Sequence, residues 1–269
     1  MYEDLKGKTA FITGAALISG IGAGIARELA ACGMDIILAD LPHPAEPGSR
    51  PIDECCRTIA QEYGVRTLAI DLDVTSQSDI DRAVEAVKAF TPELHVLVNN
   101  AGMNMGANFV GDYDPEAWIK VIDVNLFGPF RLIRSMLHLI PRGGSVINIA
   151  SRAGKRPLPR CSAYSASKAA LIMLTKNIAV EYGPKGIRAN ALCPGQILTE
   201  LNLRRYAREA ATDNITPEEA LNRAVATVPL GRIGTPQDVG RAAAFLASEA
   251  SSYMTGQAFN VTGGQITEL

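Results

Sequence analysis

No apolar run in the 269-residue sequence approaches the ~18 residues of a membrane-spanning helix, which argues against a helical membrane protein. The stretch Met1-Tyr-Glu-Asp-Leu-Lys-Gly-Lys8 carries acids where a secretory signal is basic, so export is not expected. Neither sign of charge dominates. The 26 Lys and Arg face 28 Asp and Glu for a net −2, which removes bulk basicity as a reason to bind nucleic acid or an anionic membrane. The five cysteines form no C-x-x-C pair and are odd in number, which fits a reduced, cytoplasmic protein. Histidine is scarce, and His43, His95 and His138 lack the spacing of a metal site, so no metal is expected. A G-x-S-x-G elbow is missing too, which argues against a serine hydrolase of that type.

What is present is alternation. Apolar, β-rich runs at Thr9–Thr13, Asp35–Asp40, Arg66–Ile70, His95–Asn99, Ser145–Ala150, Arg188–Cys193 and Gln257–Val261 are separated by helical spacing, clearest over Ile21–Cys32, Gln77–Phe90, Glu116–Ile140, Tyr164–Tyr182 and Pro236–Ser248. Continuous rather than alternating apolar strands are what a sheet covered on both faces requires. The expected fold is α/β: a single Rossmann-type, doubly wound domain over 1–269, with a seven-stranded parallel sheet and helices on both faces. Two segments interrupt the pattern. Leu41–Pro51 has four prolines and is expected to be a stiff loop, and the Arg-rich excursion 198–229 is expected to form a substrate lid.

The first strand runs into Gly14-Ala-Ala-Leu-Ile-Ser19-Gly20-Ile21-Gly22 at a helix start. Glycines let the backbone approach a pyrophosphate, and a helix N-terminus offers free N–H groups and partial positive charge. Asp40 ends the second strand about twenty residues on, where a carboxylate accepts from the adenosine ribose hydroxyls and repels a 2′-phosphate. Leu41 follows it with no Arg or Lys nearby in sequence, so NAD is favoured over NADP. Asp73 and Val74, at the next strand end, are placed to border the adenine.

With Asn99-Asn100-Ala101-Gly102, Asn125, Ser151, Tyr164-Ser-Ala-Ser-Lys168, Pro194-Gly195 and the tail Thr255–Gly264, the chain resembles, end to end, a short-chain dehydrogenase/reductase of the standard branch of roughly 250 residues. Tyr164 lies thirteen residues after Ser151. The i, i+4 spacing sets Lys168 on the same helix face as Tyr164, roughly 6 Å along the axis. A free phenol has a pKa of about 10, and an adjacent ammonium with a positive nicotinamide would favour the phenolate and general acid/base work.

The resemblance implies that Tyr164 passes the proton and that Ser151 binds the substrate oxygen. It also implies that Lys168 holds the nicotinamide ribose and that Asn125 holds a relay water. The resemblance further implies cofactor contacts at Asn100, Ala101, Gly102, Pro194 and Gly195, at Ile197 through its amide and at Thr199 through its hydroxyl. A homotetramer through the helices bearing Asn125 and Tyr164 is implied as well, and the apolar stretch Ala169–Leu174 is compatible with it.

The chain departs from the family's T-G-x-x-x-G-x-G, because five residues, Ala15 to Ser19, separate Gly14 from Gly20. Gly20 and Gly22 are expected to stay at the helix start with Leu17-Ile18 bulging outward. A second irregularity is charge. Between Asp123 and Glu181 there is no acid, while Arg131, Arg134, Arg142, Arg152, Lys155, Arg156, Arg160, Lys168 and Lys176 lie there. Arg152 and Arg156, with Gln196 after strand six and Arg204, Arg205 and Arg208 in the lid, point to a small polar or anionic substrate such as a sugar, sugar acid or sulfonate, or hydroxy acid. The expected activity is NAD-dependent hydride transfer with a secondary alcohol or ketone. The competing readings are a 3-oxoacyl-thioester reductase, which Asp40 disfavours, and a non-catalytic NAD sensor or scaffold, which the intact Ser151, Tyr164, Lys168 and Asn125 disfavour.

Overall fold

The computed structural model describes residues 2–43, 50–105 and 108–268. Seven strands, β1 (Thr9–Thr13), β2 (Asp35–Asp40), β3 (Thr67–Asp71), β4 (Val96–Asn99), β5 (Ser145–Ile149), β6 (Arg188–Pro194) and β7 (Ala258–Val261), form one sheet in the order 3-2-1-4-5-6-7. Every neighbouring pair is parallel. The strand order reverses between β1 and β4, and the crevice outside the carboxyl ends at such a switch point is where open α/β sheets bind ligands.

Side chains alternate across a strand, so the apolar run of β1 feeds two cores. Ile12, with Ile36 and Leu38, meets α1 (Ile21–Ala31), α2 (Pro51–Tyr63) and α9 (Pro236–Ala247) on one face. Phe11, with Ile37 and Leu97, meets α3 (Gln77–Phe90), α5 (Gly128–Met136) and α6 (Ser162–Tyr182) on the other. Helices α1 and α9 touch through glycine: a Cβ on Gly240 would lie 2.5 Å from the Gly24 carbonyl oxygen.

Two expectations need correction. Pro51 is not the end of a loop but the first residue of α2, where its missing N–H costs nothing and its fixed φ suits the helix. Of the Pro-rich segment, 44–49 lies outside the described residues. The single helix expected over Glu116–Ile140 is α4 (Pro115–Ile122), a π turn (Asp123–Phe127), α5 and a 3-10 turn (Leu137–Leu139). Pro129 lacks the N–H that would close an α turn on the Asn125 carbonyl, and the π turn closes instead with Gly128 N–H donating to the Asp123 carbonyl. The excursion at 198–229 contains α7 (Glu200–Asp213) and α8 (Pro217–Ala226), which share a small core of Tyr206, Ala210, Ala220, Ala224, Val228 and Ile233. Thr216 and Glu219 close a capping box at the start of α8.

Candidate active site

The glycine turn keeps its geometry despite its extra length. Gly14 has φ +67°, and a Cβ there would sit 2.7 Å from Ala101 Cα. A Cβ on Gly22 would meet the Gly14 carbonyl at 2.7 Å and the Asn100 amide nitrogen at 2.8 Å. Both positions therefore demand glycine. The added length is taken up by a turn in which Gly20 N–H donates to the Leu17 carbonyl, leaving Leu17 and Ile18 about half exposed, as expected. Gly20 caps α1 without any side-chain hydrogen bond, so the N–H groups of Ile21 and Gly22 are not claimed by a capping side chain, and Ser19 stands beside them.

Around this turn the strand ends are tied by polar bonds. Thr13, which sequence reasoning passed over, accepts at its hydroxyl from both Asn100 and Ala101 N–H at 3.0 Å. Asn100 Nδ2 returns to the Thr13 and Gly14 carbonyls at 2.9 and 2.8 Å. The Asp40 carboxylate accepts from Ala16 N–H at 2.7 Å and from Leu41 N–H at 2.8 Å, so it braces the lengthened turn while standing at the adenosine end. Asp73 accepts from Thr75, and Val74 is buried against Gly128. Arg50 approaches from outside this row. It pairs with Asp53 at 2.8 Å and with Asp71, the register partner of Asp40, at 2.6 Å. No such cation near Asp40 was visible in the sequence, and two carboxylates engage it.

The ends of β4 and β5, the π turn and α6 converge on a second cluster. Ser151, directly past β5, accepts at its hydroxyl from Ala153 N–H at 3.1 Å and opens the 3-10 turn Arg152–Gly154. Lys168 is 3% exposed, and its ammonium donates to the Ile149 carbonyl at 2.8 Å and lies 5.7 Å from the centre of the Tyr164 ring. A Cβ on Gly102 would come 3.2 Å from both Lys168 Nζ and Asn125 Oδ1, so glycine there leaves room between the two polar groups. Asn125 is fully buried. Its side chain brackets Met103, accepting from the N–H and donating to the carbonyl at 2.8 Å each, and donates to Ser167 at 3.0 Å. Its amide is therefore fully used. Ser167 was not anticipated, although a serine one turn beyond Tyr164 on the buried face was a usable signal. Behind the cluster runs a buried chain in which Asn99 donates to Asn148, and Asn148 to Thr175, both at 2.8 Å.

Burial dominates the electrostatics. Desolvation pulls the Lys168 ammonium down to about 8, and it pushes the Tyr164 phenol up, with the Ser151 hydroxyl drawing it partly back. In the protein without a cofactor, burial thus holds the phenol on its neutral side.

On the remaining side, Pro194 and Gly195 leave β6 with Gly195 N–H donating to the Val261 carbonyl at 3.0 Å. Ile197 is buried and bridges Gly234, and Thr199 caps α7 by accepting from Asn202 N–H at 3.3 Å. The Thr199 hydroxyl thus starts with a structural partner. Gln196 receives Arg205 and Tyr206 from α7 on one amide oxygen, at 2.6 and 3.1 Å. Much of the acid-free segment is spent elsewhere: Arg131 pairs with Asp123, Lys155 donates to the Ala258 carbonyl, and Arg160 lies over Phe109. Arg156 is exposed, and Arg204 pairs with Glu200 at the surface. No group of His, Cys, Asp and Glu that could hold a metal occurs among the described residues. No helix among them is long and apolar enough to cross a membrane.

The uncapped helix start, the glycine cradle and the strand-end carboxylate fit a dinucleotide. Known proteins agree. A family model described as "Enoyl-(Acyl carrier protein) reductase" matches residues 14–265. The sequence is 37% identical to 3beta-hydroxysteroid dehydrogenase 1 of Eggerthella lenta, covering 98% of this chain and 95% of that one. It is 36% identical to galactitol 2-dehydrogenase of Agrobacterium fabrum, covering 97% and 98%. The crystal structure of L-sorbose reductase from Gluconobacter frateurii, complexed with NADPH and L-sorbose, superposes with a TM-score of 0.92 over 100% of both chains at 29% identity. The chain belongs to the short-chain dehydrogenase/reductase family and is an oxidoreductase of CH–OH groups.

Proposed function

We propose that this protein is an NAD-dependent dehydrogenase of a small, polar secondary alcohol. The observation that carries the reading is the meeting of Ser151, Tyr164 and Lys168, with Asn125 behind Gly102, one strand away from a glycine turn braced by Asp40. When bound, the dinucleotide supplies the hydride acceptor and a positive ring. The chain's own residues do the rest. Ser151 donates its hydroxyl hydrogen to the carbinol oxygen and orients it; Tyr164 takes the hydroxyl proton as the carbonyl forms and returns it in reduction. Lys168, fixed by the Ile149 carbonyl, holds positive charge beneath the ribose site. With its amide engaged by Met103 and Ser167, Asn125 has its main-chain carbonyl left for a water that links Lys168 to solvent.

Asp40 supports NAD, because its charge would face a 2′-phosphate and Arg50, the cation brought close, is already shared by Asp53 and Asp71. Gly14, Ser19, Gly20, Ile21 and Gly22 serve the pyrophosphate, Leu41, Asp73 and Val74 the adenosine, and Asn100 to Gly102, Pro194, Gly195, Ile197 and Thr199 the nicotinamide half. The reading includes one cofactor domain with α7 and α8 as its substrate lid, and a cytoplasmic homotetramer. Ile119, Phe127, Phe130, Met173 and Val180, exposed on α4 to α6, supply apolar area for that assembly, which light scattering would measure.

The deciding experiment is an NADH-linked screen of polyols, sugars and hydroxy acids with wild type and Tyr164→Phe, together with NADH and NADPH titrations. Turnover falling at least about a hundredfold in the variant and tighter NADH binding are expected. Unchanged turnover would refute the mechanism. A preference for NADPH with turnover of acetoacetyl-CoA would instead support the 3-oxoacyl reductase reading.

A further inference from the structure

The guanidinium of Arg152 has no hydrogen bond or ion pair among the described residues, although the side chain is partly buried and follows Ser151 directly. The charged and polar groups acting on it are Arg205, Tyr206 and Arg156, and burial together with the two cations lowers its pKa. Arg205 reaches the same place from α7. One of its nitrogens holds Gln196, the Tyr206 hydroxyl donates to the same oxygen, and the half-exposed Glu209 lies 3.4 Å from its buried Nε, which makes no hydrogen bond. Arg152 thus faces the guanidinium of Arg205, which is held on Gln196 with Glu209 as its one carboxylate, while Arg156 acts on Arg152 from the surface. Partly buried cations that outnumber their counter-charge repel one another, and an anion placed between Arg152 and Arg205 relieves both desolvation and that repulsion. Gln196 immediately follows Gly195 at the carboxyl end of β6, and Ser151 follows β5 beside it. An anion held there would therefore adjoin the position of the carbinol oxygen.

We propose that Arg152 and the lid residue Arg205 clamp a carboxylate of the substrate, making it a hydroxy acid whose carbinol reaches Ser151 and Tyr164. The inference rests on the dehydrogenase reading above. Planar guanidiniums suit a carboxylate in a two-pronged arrangement, and the tie between Arg205 and Gln196 presets one prong. Closing α7 over the substrate would then be coupled to the charge of the substrate.

The test uses D-gluconate, L-lactate and 3-hydroxybutyrate, each against its neutral counterpart, D-glucitol, 1,2-propanediol and 1,3-butanediol. Calorimetric titration into the protein saturated with NADH reads binding without turnover, and NAD-linked assays read kcat/KM. At least one acid is expected to bind tenfold or more tightly than its neutral partner. Arg152→Met and Arg205→Met should each lower that acid's affinity at least tenfold, with a much smaller change for the neutral compound. Arg152 has no internal bond to lose, so its replacement is not expected to disturb folding. Acids binding no better than neutral partners, or both classes losing equally in the variants, would overturn the clamp. Turnover of neutral alcohols without acid preference would sink the clamp and keep the dehydrogenase. Acid preference without turnover of any alcohol would do the reverse.

Discussion

Replacing Lys168 by methionine is expected to stabilise the fold near neutrality while removing activity. Lys168 is 3% exposed, and burial draws its ammonium from 10.5 down to about 8. The unfolded chain therefore binds the Lys168 proton more tightly than the folded one, and stability contributed by this group rises with pH between the two values. At pH 7 the proton is bound in both states, and holding it in the buried site costs about 3 kcal/mol, at ~1.4 kcal/mol for each pH unit that separates the folded from the unfolded value. At pH 9.5 the folded lysine is neutral and the unfolded one still charged, which leaves a penalty of about 1.4 kcal/mol. Above 10.5 the penalty vanishes.

Methionine fills similar volume without the charge but leaves the Ile149 carbonyl without its donor, at a cost of roughly 1–2 kcal/mol. The variant should thus gain about 1–2 kcal/mol at pH 7, and the gain should shrink by about 2 kcal/mol on going to pH 9.5. Urea denaturation of both proteins at pH 7, 8, 9 and 9.5 checks this, since other titrating groups cancel in the difference. A stability difference that does not change with pH would refute the reasoning, whatever its sign.

Gly240→Ala puts a Cβ 2.5 Å from the Gly24 carbonyl and must part α1 from α9, so a loss of about 1–3 kcal/mol or more by denaturant unfolding is expected. Asp238→Asn weakens both the Thr235 capping box and the ion pair with Arg232, which together hold the Asp238 carboxyl well below the usual carboxylate range. It should cost about 1–2 kcal/mol at pH 7 and progressively less below pH ~4, because that stability is present above the unfolded pKa and is lost as the folded group protonates. With saturating NAD, the pKa governing kcat/KM for alcohol oxidation should lie about one pH unit or more below that of Tyr164 in the free protein, read from the difference titration of wild type and Tyr164→Phe. Equal values would show that bound cofactor does nothing for the phenol.

The sheet was largely legible in the sequence because each strand is a short continuous apolar run, and six of the seven were placed with an end misjudged by at most one residue; β3 was displaced one residue along the chain. The whole of α2 escaped notice, although Ile52, Cys55, Cys56 and Ile59 have helical spacing, because the prolines before it masked a helix that begins on one. The break at Asn125 comes from Pro129, which removes the N–H that would close an α turn there, a local signal hidden by the helical spacing on either side of it. In the site, the i, i+4 relation of Tyr164 and Lys168 was readable from spacing alone. The bracket of Asn125 around Met103, the latch of Asn100 on Thr13 and the meeting of Arg152 with Arg205 were not, since each joins segments far apart in sequence that only the fold brings together.

That division bears on how the phenol is activated. Spacing shows that a cation stands near Tyr164, but not that the cation and the phenol are both removed from water. Desolvation favours the neutral form of each, so it weakens the charge Lys168 can offer at the same time as it raises the phenol. With only Lys168 beside it, the buried phenol is held on its neutral side. The missing favourable charge must come from something that enters with the reaction, and the positive ring of an oxidised dinucleotide is the group that this family's chemistry brings to that spot. Its positive charge lowers the phenol and the ammonium together. In the proposed mechanism, proton release from the pair would then be tied to cofactor binding, which would place the general base in service only when a hydride acceptor is present.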